Sequence, residues 1–216
     1  MDTQTRMSYL RCQMVRDHLE ARGIRHERIV DAFREVPREL FVPAELCEQA
    51  YEDHPISIGL GQTISQPYVV ALMLQELRVT EGHRVLEIGA GSGYQTALLA
   101  RLARHVYAIE RLPELAERAM ATLQHLCVGN VTLITGDGCV GWPEELPFDR
   151  IICGAAASGI PQAWIDQLAD GGRILCPVGG GQCQTLVAID RHGDALRRQE
   201  ICQVRFVPLV VPGTQD

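Results

Sequence analysis

Excess positive charge is missing from this chain: its 20 Lys and Arg face 27 Asp and Glu, a formal net charge of −7. A general nucleic-acid binder needs a basic footprint, so no nucleic-acid partner is expected; only an RNA held by a small local patch stays open. No run of about 18 apolar residues occurs, so no membrane span is expected. Residues 1–6, Met-Asp-Thr-Gln-Thr-Arg, form no apolar signal-peptide core. None of the eight cysteines has Cys-x-x-Cys spacing, and no Cys/His cluster resembles a zinc site, so no metal is expected. Internal repeats and low-complexity segments are absent as well.

What is present suits a packed core. The chain has 216 residues, 46% of them hydrophobic, enough for one domain over residues 1–216. Several cysteines sit in apolar runs, as Cys153 does after Ile151 and Ile152. They read as buried free thiols in a reducing, cytoplasmic compartment. Residues 5–22 form a helix stopped by Gly23, residues 25–36 a second with Ile29, Val30 and Phe33 inward, and residues 45–51 a short third. The glycine-punctuated, aperiodic stretch 53–66 reads as a long loop, either on the surface or functional. His54 beside it reads as a loop histidine. A helical pattern resumes at 67–77.

From residue 81 the pattern alternates. Strands are expected at 85–88, 105–109, 131–135, 148–153 and 173–178, and helices at 94–103, 113–126 and 161–168. A terminal hairpin follows at 185–190 and 196–204. Such βα alternation implies an α/β fold, a mostly parallel doubly wound sheet closed by an antiparallel hairpin and preceded by N-terminal helices. Residues 1–80 then form the helices and loop, and residues 81–216 the ligand-binding core.

The chemistry centres on His83-Arg84-Val85-Leu86-Glu87-Ile88-Gly89-Ala90-Gly91-Ser92-Gly93. A buried strand, a glycine turn and a helix start set backbone N–H groups beside a ligand. A tight turn with no ligand is the plain alternative. Glu110 ends the next strand about twenty residues after Gly89, the spacing at which a carboxylate meets a ribose diol. Asp137, followed by Gly138, ends the third and can accept from an adenine amine. A dinucleotide is the rival ligand, but its diphosphate would meet Glu87, and Gly93 comes one residue early for the dinucleotide fingerprint. A cationic amino group suits Glu87 instead.

Glu87-x-Gly89-x-Gly91-x-Gly93 resembles the first motif of S-adenosylmethionine-dependent methyltransferases, whose fold is Rossmann-like. The match goes further. Gly59-Leu60-Gly61-Gln62-Thr63-Ile64-Ser65-Gln66-Pro67, Phe148-Asp149-Arg150-Ile151-Ile152-Cys153-Gly154-Ala155-Ala156, Gln167-Leu168-Ala169-Asp170-Gly171-Gly172-Arg173, Pro177-Val178-Gly179 and Val204-Arg205-Phe206-Val207-Pro208-Leu209 resemble the protein-L-isoaspartate O-methyltransferase family, over residues 9 to 211. Cys153 in place of the usual Val, and Cys176, are small departures that pack alike.

The resemblance implies a repair enzyme that uses S-adenosylmethionine, leaving S-adenosylhomocysteine, to methylate the free α-carboxylate of L-isoaspartyl residues in damaged proteins and peptides. The ester then collapses to a succinimide, whose hydrolysis returns some aspartate. It implies Ser65 as the catalytic residue, with capping of the following helix as its structural alternative. It further implies Glu87, Gly89, Gly91, Gly93, Glu110, Asp137, Gly138, Gln62 and Thr63 around the donor, Ile64, Ser65 and Val207 around the substrate, and a monomer. The alternatives are a methyltransferase acting on a small molecule or RNA, which has no reason to carry the Gly59–Pro67 motif, and a non-enzymatic scaffold, which has no reason to keep Ser65, Glu110 and Asp137.

Overall fold

The computed structural model describes residues 2–181 and 183–210. Helix α1 (Thr3–Met14) runs on through a π-type turn (Val15–Leu19) and a 3-10 turn (Glu20–Arg22) to Gly23, whose φ of 92° ends it. The expected single helix is thus one rod of changing pitch. Helix α2 (Glu27–Glu35) buries Ile29, Val30 and Phe33 and stops before Pro37, because the residue preceding a proline leaves the helical region. The expected short helix at 45–51 is a 3-10 segment (Ala44–Gln49), following another at Arg38–Phe41.

The stretch read as a loop is instead a hairpin. Strands β1 (Ile56–Gly59) and β2 (Gln62–Ile64) pair antiparallel, with Ile56 opposite Ile64. Its turn residues Leu60 and Gly61 both have positive φ, 54° and 72°, as the tight primed hairpin turns require. Ile56, Ile58 and Ile64 face the core. Two strands of three or four residues are too short to display an alternation, which is why the sequence reads as aperiodic.

Helix α3 (Pro67–Leu77) leads to the βα array: β3 (Arg84–Ile88), α4 (Tyr94–Leu102), β4 (His105–Glu110), α5 (Pro113–His125), β5 (Val131–Thr135), β6 (Phe148–Cys153), α6 (Gln162–Asp166), β7 (Leu168–Val178), β8 (Gln184–His192) and β9 (Ala195–Val204). Helix α6 is shorter than expected because Leu168 already pairs with Phe148; β7 then skips in register to Arg150–Arg173 around Gly171, φ 72°.

The sheet order is β5-β4-β3-β6-β7-β8-β9. Strands β3 to β7 run parallel and β8 and β9 antiparallel. The fold class is the one expected. From β3 the chain winds outward through β4 and β5, then returns to β6 beside β3, and ligands bind beyond the strand ends at such a reversal. There the Gly154 amide donates to the Ile88 carbonyl at 2.8 Å.

Strand β3 is buried on both faces, as in a sheet covered twice. One apolar cluster joins Met7, Met14 and Phe33 of the N-terminal helices to Leu98, Val106 and Leu175, so these helices share the core of the sheet. The other face packs Phe148, Trp164 and Val187. Among the described residues no helix is long and apolar enough to cross a membrane.

Candidate active site

The strand reversal opens into two cavities with a common wall. The first is lined by Gln62, Thr63, Gly89, Gly91, Glu110, Gly138 and the segment 207–210. The second is a groove of about 410 Å³ lined by Thr63, Ser65, Gln66, Gly154 and residues 203–207. Thr63 and Val207 line both, and Gly154 lies between them. A small inner chamber lies between residues 63–65 and 89–92, with Gln95 at its end.

The glycine turn is shaped by Glu110. Gly89, Gly91 and Gly93 all have positive φ, which side chains other than glycine adopt at a cost. The amides of Gly89 and Ala90 donate to the Ile109 carbonyl, and that of Gly93 to Ala90. The Gly91 amide donates to Glu110 Oε2 at 2.8 Å, and Leu112 to Oε1 at 3.0 Å. The amides expected to stay bare for a ligand are therefore engaged within the protein. Each Glu110 oxygen keeps a second acceptor position, which suits a ribose diol.

The other expected donor residues divide. Gln62, Thr63, Gly89, Gly91, Glu110 and Gly138 line the first cavity. Asp137 does not. Its Oδ1 accepts from the Cys139 amide at 2.9 Å, capping the turn that presents Gly138. Gly93 does not line it either: a Cβ there would stand 3.0 Å from Ala119, so its glycine serves helix packing. Glu87 lies beneath the turn, fully buried, with Oε1 accepting from Gln95 Nε2 at 3.0 Å and Oε2 unpartnered. Ile64 borders the inner chamber while 5% exposed and otherwise belongs to the core.

Burial raises the Glu87 carboxyl to about 7, against the Gln95 bond that favours its charged form. Its unfolded value is near 4.5. Folding is therefore favoured least above pH 7, where an ion must be buried, and the penalty vanishes below pH 4.5, where both states are protonated. Glu87→Gln should raise the melting temperature at pH 8 and change it little at pH 5, with up to about 3 kcal/mol at stake. An equal shift at both pH values would contradict this.

Arginines hold the hairpin down. The chain contains no lysine, so every strong cation is a planar guanidinium. Arg118 of α5 donates to the Ile58 carbonyl at 3.0 Å. Arg38, fully buried, donates to the carbonyls of Ala50 at 2.7 Å and Ser65 at 2.8 Å. Its guanidinium stands 4.8 Å from the Tyr94 ring centroid, and Nη1 has no partner. Held this way, Ile58 reaches the turn, where a Cβ on Gly91 would meet its Cδ1 at 3.6 Å. The first cavity is narrow, about 80 Å³.

Ser65 is half-buried, lines the groove, and makes no side-chain hydrogen bond among the described residues. It does not cap α3, whose N-cap is Gln66 without a side-chain cap bond; Asp53 Oδ1 accepts from the Tyr68 amide instead. The hydroxyl is left for a ligand. Across the groove, buried Gln184 fixes the outer wall, accepting from the Phe206 amide at 2.7 Å and donating to its carbonyl at 3.1 Å. The Val207 carbonyl accepts from Ala156 at 2.8 Å. Arg38, Arg118, Gln95 and Gln184 escape sequence reading, since their partners are distant or their residue types ordinary.

The cavity chemistry fits S-adenosylmethionine. A carboxylate faces the first cavity, glycines leave room for a ligand, and Ile88, Ile109 and Leu112 supply apolar walls for a base. The family model described as protein-L-isoaspartate(D-aspartate) O-methyltransferase matches residues 11–213. The chain belongs to this family. It is 52% identical over 195 residues to the protein-L-isoaspartate O-methyltransferase of Parvibaculum lavamentivorans, covering 89% of this chain and 88% of the relative. It is 50% identical to protein-L-isoaspartate O-methyltransferase 1 of Syntrophobacter fumaroxidans, covering 93% and 94%. Among solved structures, a protein-L-isoaspartate O-methyltransferase superposes with a TM-score of 0.83 at 29% identity, covering 92% of this chain and 65% of that longer one. The Plasmodium falciparum structure assigned to the same activity, in complex with S-adenosyl-L-homocysteine, gives 0.81 at 26% identity, covering 92% and 97%.

Proposed function

We propose that this protein-L-isoaspartate O-methyltransferase takes its methyl donor in the first cavity and the damaged peptide in the groove, so that transfer occurs at the wall formed by Thr63, Gly154 and Val207. The observation that carries this reading is the free Ser65 hydroxyl in a groove that shares that wall with the Glu110 cavity. When bound, S-adenosylmethionine supplies an electrophilic methyl group on a sulfonium. Gln62, Thr63, Gly89, Gly91, Glu110 and Gly138 would hold it, Glu110 through the ribose hydroxyls. Glu87 supports the turn from beneath rather than binding as a direct ligand.

The acceptor α-carboxylate has a pKa near ~4 and is ionised at neutral pH, so no general base is needed. Ser65 donates a hydrogen bond to one carboxylate oxygen and leaves the other directed at the methyl. That oxygen supplies the electron pair of the new C–O bond, while the pair of the old C–S bond stays on sulfur. Charge is neutralised in the step, so positioning and exclusion of water by the hairpin carry the catalysis. The ester closes to a succinimide, and hydrolysis restores part of it to aspartate. One chain lines both cavities, in keeping with a monomer, and the eight free cysteines agree with a cytoplasmic setting. A small molecule or RNA as acceptor has less support, because a net charge of −7 disfavours binding along a phosphate backbone. Methyl transfer to an isoaspartyl peptide, measured beside the same peptide with ordinary aspartate, tests the reading. Only the isoaspartyl form should react.

A further inference from the structure

In this acidic chain, the described lining of the acceptor groove contains no Asp or Glu; its one charged residue is Arg205. Arg205 is exposed and makes no ion pair or side-chain hydrogen bond among the described residues. Its polar neighbours on the rim are engaged. Cys183 Sγ donates to Gln203 Oε1 at 2.8 Å, and Gln203 Nε2 donates to Thr185 Oγ1 at 3.0 Å. The backbone under Arg205 is rigid, because Gln184 bonds Phe206 through both its N–H and its C=O. A second guanidinium, Arg38, stands behind Ser65 and pairs with no carboxylate among the described residues.

The groove itself therefore offers one cationic position, Arg205, while the buried Arg38 lies behind the Ser65 backbone. The Ser65 wall, with Arg38 behind it, suits the carboxylate that receives the methyl. Arg205, on the opposite wall and in solvent, is left for a second anion. An extended peptide laid along residues 203–207 brings the side chains next to the reacting residue to that rim. We propose that Arg205 is a specificity-determining residue that recruits an acidic side chain flanking the isoaspartyl site, so that damaged sites in acidic sequence are repaired preferentially. The inference rests on reading the groove as the acceptor site.

The test uses three isoaspartyl peptides that differ only in flanking residues, Glu, Gln or Lys, with the full-length wild type, Arg205→Ala and Arg205→Glu. Wild type should show the highest kcat/KM for the Glu peptide and the lowest for the Lys peptide. Arg205→Ala should lower the ratio of the Glu-peptide to the Gln-peptide kcat/KM about threefold to fivefold, as expected for an exposed ion pair. Arg205→Glu should invert the order, and high salt should flatten it in every case. The same order of preference in wild type and Arg205→Glu, or no order in wild type, overturns the proposal while methylation itself persists. Failure of wild type to methylate any of the three overturns the groove assignment beneath it. Arg205 lies on the surface, so the variants should keep the wild-type melting temperature.

Discussion

Ser65→Ala is expected to lower turnover on an isoaspartyl peptide about tenfold to a hundredfold, the range of a lost hydrogen bond to a charged group, while leaving donor affinity unchanged. The reason is local. The Ser65 hydroxyl has no partner among the described residues and does not cap α3, so its removal orphans no other group. The backbone stays pinned, because Arg38 holds the Ser65 carbonyl rather than its side chain. The substrate carboxylate loses the donor that orients it, and the loss falls on kcat. Steady-state kinetics beside a calorimetric titration with S-adenosylhomocysteine separates the two quantities. Equal losses in both would mean that Ser65 acts by shaping the hairpin.

The second large effect is expected at Gly154. A Cβ added there would stand 2.8 Å from the Gly89 carbonyl oxygen and 3.6 Å from that of Ile88, so the clash is with backbone that cannot swing aside. Gly154 borders the groove and the first cavity together, and its amide ties β6 to β3. Gly154→Ala must push the glycine turn away from β6. Overpacking of this kind costs about 1–3 kcal/mol, and where it distorts the cavity a comparable loss of donor affinity follows, tenfold or more. Thermal denaturation and donor titration read the two effects. Unchanged affinity in a destabilised variant would show that the cavity absorbs the displacement elsewhere.

The order of elements was largely legible in the sequence. Strands such as Val131–Thr135 and Phe148–Cys153 are bounded by turn residues; the apolar run of Phe148–Cys153 is dense because the sheet is covered on both faces there, whereas Val131–Thr135 is an edge strand with Ile134 exposed. Proline opened α5 where its missing N–H is harmless. The hairpin at 56–64 was not legible, because its strands are too short for a period and Leu60 gives no hint of a left-handed backbone. Of the candidate site, most motif residues meet around the two cavities, but their own contacts are not legible in the sequence. Glu87 and Asp137 both stand at strand ends, yet one is sealed under the turn and the other caps a neighbouring amide. What fixes the machinery is long-range. Arg118 reaches Ile58 across 60 residues and Arg38 reaches Ser65 across 27, and in a sequence each reads as one more surface charge.

The most direct measurement is a competition. Equal amounts of one short peptide carrying L-isoaspartate or L-aspartate at the same position are mixed with the protein and S-adenosylmethionine, and mass spectrometry follows the methyl ester and the succinimide that replaces it. If Ser65 and the groove select the displaced α-carboxylate, methyl ester and then succinimide form from the isoaspartyl peptide and the aspartyl peptide is recovered intact. Equal methylation of both, or of neither while the donor is bound, would contradict a repair methyltransferase and require a different acceptor on the same scaffold.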